Sequence, residues 1–199
     1  MPFEVIKGDI TKIKADAIIN STNKDLLSGG EVDRLIRQAA GEGFDEACRA
    51  AGECKVGEAV ITDAFALPCK RVVHTVGPDW VDGDAFERED LENCYISALE
   101  VAVDDGCRTI ALPLLCAGTR GYPKKEAVEV AIGTIIDFLR FEGKSYLVVY
   151  LVLKDDEAIE IARALRPRIH MGGCPIPDFI DGSGSASDIM RPWITGSSK

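Results

Sequence analysis

The sequence predicts a three-layer α/β/α domain with a mixed, largely parallel central sheet. Three observations lead there. Short apolar, β-branched runs alternate with amphipathic stretches of helical length, the pattern of an α/β layer fold. Two of those runs lead directly into glycine-containing loops that open into helices. Finally, 46% of the 199 residues are hydrophobic, and a chain of that length buries about 70% of its unfolded surface.

Taken in order, strands are expected near 3–7, 16–20, 57–62, 71–76, 109–113 and 145–153, and helices near 31–40, 43–51, 87–104, 125–140 and 155–166. The second strand rests on Ala17-Ile18-Ile19, and the helix after it on a glycine pair followed by acidic residues, favourable at a helix N-terminus. In the third helix Leu91, Cys94, Tyr95, Ala98, Leu99 and Ala102 form one stripe, and in the fourth Val128, Ala131, Ile132, Ile135, Ile136 and Leu139 do the same; both read as core. His74, after Val72-Val73, reads as a packed, hydrogen-bonded strand residue rather than a catalyst. Asp79 to Asp90 is an acidic loop, expected to be solvated and to rim any site nearby. The domain is expected to span 1–168. From there to 199, Gly172-Gly173, Pro175, Pro177 and Gly182-Ser183-Gly184-Ser185 break any period and predict a tail, which Phe179, Ile180 and Trp193 can dock.

The two strand–loop–helix units carry the functional signal. The first is Asn20-Ser21-Thr22-Asn23-Lys24-Asp25-Leu26-Leu27-Ser28-Gly29-Gly30-Glu31-Val32-Asp33. A strand, a glycine loop and a helix N-terminus together point backbone N–H groups and a helix dipole at an anion. The asparagines add neutral donors and acceptors suited to sugar hydroxyls, and Asp33 adds a carboxylate able to act as a base. The second is Thr109 to Leu112 followed by Pro113-Leu114-Leu115-Cys116-Ala117-Gly118-Thr119-Arg120-Gly121-Tyr122-Pro123. Such loops converge at the carboxyl ends of parallel strands, so two of them facing one another predict a diphosphate site. The bland alternative is that both are ordinary connections.

Four segments, in order, resemble the macrodomain family of ADP-ribose-binding modules. Gly8-Asp9-Ile10-Thr11 resembles its G-D-I-T, and Asp16 to Asn23 its D-x-I-V-N-A-A-N. Val73-His74-Thr75-Val76-Gly77-Pro78 with Trp80 resembles I-H-T-V-G-P-x-W, and Gly118 to Pro123 resembles G-x-Y/F-G-Y-P. Ala39-Ala40-Gly41 and Gly57-Glu58-Ala59 also fall in place, so the likeness covers roughly residues 1 to 165. It implies that Asp9 accepts from the adenine amino group with Ile10 beside the ring. Asn23 would hold the distal ribose, and Asp33 would orient or activate the attacking water. Gly29, Gly30, Glu31 and Val32 would line one side of the diphosphate, and Cys116, Ala117, Gly118, Thr119 and Arg120 the other. Asn20 is grouped with the site and expected to brace the first loop. The implied activity is hydrolysis of ADP-ribose linkages, from mono-ADP-ribosylated protein or O-acetyl-ADP-ribose, with no cofactor and no metal.

The chain departs from the family's pattern. The first loop usually reads L-G-G-G-G-V-D; Ser28 and Glu31 replace two of its glycines, and Glu31 brings an anion toward a diphosphate site. Arg120 stands where an aromatic usually covers the distal ribose, and would offer charge to the diphosphate or swing into solvent. Cys116 replaces a common serine, and Lys154 an aromatic against adenine. Asn23 and Asp33 favour the hydrolase; Glu31 and Arg120 favour the alternative, a non-catalytic ADP-ribose reader.

Composition excludes other classes. A net charge of −10 argues against broad nucleic-acid binding through phosphates. It does not argue against a small anion held by backbone donors, because distant surface acids are screened beyond about 8–10 Å. Seven cysteines, with no C-x-x-C, no n-region and h-region at the start and no apolar run of membrane length, predict reduced thiols in a cytoplasmic protein. No P-loop signature occurs.

Overall fold

The computed structural model describes residues 3–141, 146–169 and 179–180. The strands are β1 (Phe3–Lys7), β2 (Ala17–Ser21), β3 (Ala59–Asp63), β4 (Arg71–Thr75), β5 (Thr109–Pro113), β6 (Val148–Leu153) and β7 (Phe179–Ile180). The helices are α1 (Glu31–Ala40), α2 (Phe44–Ala51), α3 (Ala85–Asp104), α4 (Lys124–Phe141) and α5 (Asp156–Ile169), with a 3-10 turn at Ile10–Lys12. They form one sheet in the order β3-β4-β2-β5-β6-β1-β7. Every pair is parallel except β3–β4. Those two strands are joined by residues 64–70, too short a connection for a crossover, so they close as a hairpin.

Alternation along each strand builds two cores, one on each face of the sheet. Ile18 packs in one cluster with Ile36 and Ala40 of α1 and Phe44 and Cys48 of α2. Its neighbours Ala17 and Ile19 pack in the other, with the stripes of α3 and α4 and with Ala158 and Ile159 of α5. Every residue of the expected α3 stripe is fully buried. This is the three-layer arrangement the sequence predicts.

Boundaries shift for local reasons. α3 starts at Ala85 because the Asp84 side chain accepts from Glu87 N at 2.9 Å and caps it. β3 starts at Ala59, after Gly57 turns the chain with φ 81. Beyond α5, Phe179–Ile180 pairs in parallel with Val5–Ile6, so part of the segment expected as a tail adds a short strand to the sheet. Trp193 and the glycine-, serine- and proline-rich residues lie outside the described residues.

The N-terminal ends of the strands are tied at Asp16. Its Oδ2 accepts from the N–H groups of Arg108 and Thr109, both at 3.0 Å, and from the Thr109 hydroxyl at 2.9 Å. Its Oδ1 pairs with Lys70 Nζ at 2.7 Å, and its carbonyl accepts from the N–H groups of Lys70 and Arg71. Partial burial pushes the carboxyl up, but Lys70 and these donors together bring it down to about 2. Among the described residues no helix is long and apolar enough to cross a membrane.

Candidate functional site

The functional loops lie at the other, C-terminal, end of the strands. The first folds back on itself: Thr22 bridges Gly29, Asn23 N donates to Ser28 O at 2.7 Å, and the Thr22 hydroxyl donates to the same carbonyl at 2.9 Å. Leu26 is fully buried and held at φ 58, so its side chain anchors the tip. Gly29 cannot be replaced here, because a Cβ would lie 2.6 Å from Asp33 Cβ and 2.9 Å from Ser21 O. Gly30 precedes α1 and supplies no side-chain cap, which leaves the first-turn N–H groups open to an anion.

The second loop turns sharply at Cys116, with φ 63. Tyr122 N donates to Cys116 O at 3.1 Å, Gly121 N to Gly118 O at 3.0 Å, and Leu115 N to the Tyr95 hydroxyl at 2.9 Å. Burial pushes the Cys116 thiol far above its usual range, so it fills space rather than acting as a nucleophile. The loops come together at Gly30 and Thr119: a Cβ on Gly30 would sit 3.1 Å from the Thr119 hydroxyl.

Between them lies a cleft of about 480 Å³. Asn23, Gly29, Gly30, Glu31 and Val32 form one wall, and Cys116, Ala117, Gly118, Thr119 and Arg120 the facing one. Four residues singled out in the sequence are elsewhere. Asp9 caps the 3-10 turn, its Oδ1 accepting from Thr11 N at 2.9 Å and the Thr11 hydroxyl at 2.8 Å, and Ile10 is core. Neither lines the cleft, but Gly8 N donates to the carbonyl of Leu153, which does. Asn20 and Asp33 lie beneath the first loop. The cleft also takes in Ser21, Thr22, Leu114, Lys124 and Ala158, with Val152 to Asp155 at the end of β6. Ser21, Thr22 and Leu114 belong to the two loops read from sequence and Lys154 to the adenine position. Lys124, Val152, Leu153, Asp155 and Ala158 are not singled out by the sequence, and only their position at strand ends, visible once the sheet order is known, marks them.

Asp33 is 2% exposed. Asn20 Nδ2 donates to its Oδ1 at 2.7 Å and Arg37 Nε to its Oδ2 at 2.7 Å. Arg37 also reaches the Leu26 carbonyl and, at 2.5 Å, Asp45. An Asp–Arg pair at i,i+4 is the sequence signal for this tie. Asn20 faces His74 Nδ1 at 3.2 Å with the same amide nitrogen, and His74 Nε2 lies 2.9 Å from the Thr62 hydroxyl. Because an amide N–H fills the Nδ1 lone pair, the imidazole proton sits on Nε2 and donates to Thr62. Burial, opposed by Asp33 and reinforced by Arg37, pushes the His74 pKa down to about 4. His74 is thus a neutral structural group, as its strand position suggested.

The cations around the cleft are all paired. Lys154 Nζ meets Glu31 at 2.6 Å, which holds the Glu31 carboxyl below its usual range. Lys124 meets Asp155 at 3.1 Å and Glu157 at 2.6 Å. Arg120 bridges the two walls: it donates to Asp79 Oδ1 at 2.9 Å, Thr22 O at 3.0 Å and Asn23 Oδ1 at 3.1 Å. Of the expected acidic loop, Asp79 lines a hollow next to the cleft rather than the cleft itself, and residues from Ala85 onward belong to α3. Among the described residues, Asp82, Asp84 and Glu87 are the acids close enough to share an ion, but Glu87 accepts from the N–H groups of Val81, Asp82 and Gly83, which makes it a loop cap.

Comparison with known proteins bears on this geometry. The profile of the Macro domain family matches residues 19–131. The chain is 42% identical over 167 residues to the O-acetyl-ADP-ribose deacetylase of Citrobacter koseri, covering 82% of this chain and 94% of that one. Among solved structures, the Oceanobacillus iheyensis macrodomain with ADP superimposes with a TM-score of 0.76 at 35% identity, covering 84% and 91% of the two chains. The Trypanosoma brucei macrodomain in complex with ADP-ribose gives 0.74 at 30%, covering 80% and 67%.

Proposed function

Because the chain belongs to the Macro domain family, we propose that its cleft binds ADP-ribose and that residues 1–168 act as an ADP-ribosyl hydrolase, on O-acetyl-ADP-ribose or on mono-ADP-ribosylated protein. The observation that carries this is the cleft itself. An uncapped helix N-terminus faces a second loop across it, at the carboxyl ends of two parallel strands. Backbone donors there suit a diphosphate, while Asn23 at one end suits the distal ribose and β6 at the other suits the adenine, with Asp9 just beyond Leu153. Names borne by relatives at 40–42% identity support the hydrolase over other nucleotide chemistry.

In the reaction, a water oxygen bonds to the acyl or anomeric carbon, the linkage to the departing oxygen breaks, and the water proton passes to that oxygen. The cleft contributes positioning and charge stabilisation. Asn23 touches the ribose. Asp33, held by Asn20 and Arg37, sets the shape of the loop that places the water. We place this work in a reducing, cytoplasmic compartment, where Cys48, Cys54, Cys69, Cys94, Cys107 and Cys116 stand as free thiols.

One observation favours a binding-only reader: both Asp33 oxygens are engaged and the side chain is sealed from the cleft. Calorimetry with ADP-ribose, run beside deacetylation and de-ADP-ribosylation assays, separates the two. The hydrolase requires binding and turnover of at least one substrate. Loss of that turnover in Asp33→Asn, with binding held within about 1 kcal/mol, would tie the chemistry to the first loop, and equal turnover would move it elsewhere in the cleft. Binding without product over long incubation would install the reader.

A further inference from the structure

Ser28 and Arg120 meet at one amide, and Asp79 holds the arginine from behind. Asn23 Nδ2 donates to the Ser28 hydroxyl at 3.0 Å, while Asn23 Oδ1 accepts from Arg120 Nη2 at 3.1 Å. Arg120 Nη1 is held in turn by Asp79 at 2.9 Å, and its side chain is 14% exposed. Ser28 replaces a glycine of the family's loop and Arg120 replaces an aromatic; Asp79 occupies the unspecified position of G-P-x-W. The guanidinium thus spans from the second loop to the first. Together with Asn23 it forms the wall between the cleft and a neighbouring hollow of about 470 Å³.

An amide in this setting cannot flip. Turning it over would set Nδ2 against a guanidinium with no acceptor to offer. Half of its capacity stays unused, since one N–H and one lone pair remain for a ligand. The entropy of fixing that side chain is then spent before any ligand arrives, which favours binding by preorganisation. We propose that Arg120, anchored by Asp79 and helped by Ser28, is a positioning residue that fixes Asn23 for the distal ribose and so makes this chain discriminate ADP-ribose from ADP. The proposal rests on the reading of the cleft as an ADP-ribose site.

The test is calorimetric titration of the full chain with ADP-ribose and with ADP, in the unaltered protein and in Asp79→Ala, Asp79→Glu and Arg120→Lys. Asp79 is 75% exposed in its side chain, so its removal leaves the fold intact. Asp79→Ala should lower ADP-ribose affinity about fivefold, the worth of one lost hydrogen bond, and leave ADP affinity unchanged. Arg120→Lys should lower ADP-ribose affinity more than ADP affinity, because a point charge cannot span Asp79, Thr22 O and Asn23 together. Asp79→Glu should regain part of the discrimination. Equal, salt-sensitive losses for both nucleotides would overturn the proposal and move Arg120 to the diphosphate. Unchanged or tighter ADP-ribose binding in Asp79→Ala would also overturn it, while leaving the functional reading standing. Failure of the unaltered chain to bind either nucleotide would remove both.

Discussion

Glu31 brings a negative charge to the edge of an anion site, and Lys154 answers it from the end of β6 at 2.6 Å. Lys154→Ala should therefore weaken ADP-ribose binding, and adding Glu31→Gln should restore it. Titrations of the two single variants and the double variant measure the coupling, and the effect should fade at high salt. Asp33 behaves differently, because it is buried. Asp33→Ala leaves Asn20 Nδ2 and Arg37 Nε without their carboxylate, although Arg37 keeps Asp45 and the Leu26 carbonyl. It should cost about 1–3 kcal/mol in urea denaturation, which is why the better-filling Asp33→Asn is the functional probe. His74 sets an acid limit. Its folded pKa of about 4 lies below the ordinary 6.5, so the unfolded chain binds the extra proton across that window. The stability from keeping it neutral is present above about 6.5 and lost as pH falls toward 4, amounting to about 2 kcal/mol between pH 7 and pH 5. Urea midpoints across that range should show the slope, and His74→Gln should remove it. At this scale the sequence reveals which residues belong to the loops, but not how they pair. Asn23 and Arg120 are 97 positions apart, and no local pattern encodes their contact.

Gly29 and Gly30 show why a helix can begin so close to a strand. Gly29 lies so near Asp33 and Ser21 that any side chain must displace α1. Gly29→Ala should lower both stability and ADP-ribose affinity, whereas Ser28→Gly, at an outward position of the same loop, should leave stability nearly unchanged; thermal melts with and without nucleotide compare them. The glycines that this chain has given up, at 28 and 31, are the two whose side chains point away from the crowded turn, and Glu31 reaches Lys154 because of it. Elements were legible from sequence where a single period governs them, as in α3, whose stripe is wholly buried. The early start of α3 at Ala85 turns on one cap by Asp84. β7 is two residues long and owes its place to β1 rather than to its own pattern.

For the molecule as a whole, the layered fold follows from alternating strands and amphipathic helices. The sheet order, by contrast, depends on which strands find each other across long connections, and it alone brings β6 to the cleft. The net charge of −10 acts on partners rather than on the small ligand. Duplex DNA should fail to displace bound ADP-ribose at physiological salt, since no excess of cations is available to neutralise its phosphates; a competition titration checks this. Asp16 and its six donors lie at the opposite end of the sheet from both loops. Strands of five residues set the two ends about 17 Å apart, beyond the range at which substitutions usually influence one another. The protein therefore has separable poles. A laboratory wishing to retune ligand choice can first reinforce the foot of the sheet, then vary the rim freely, with each gain in robustness carried over intact to every variant selected afterwards.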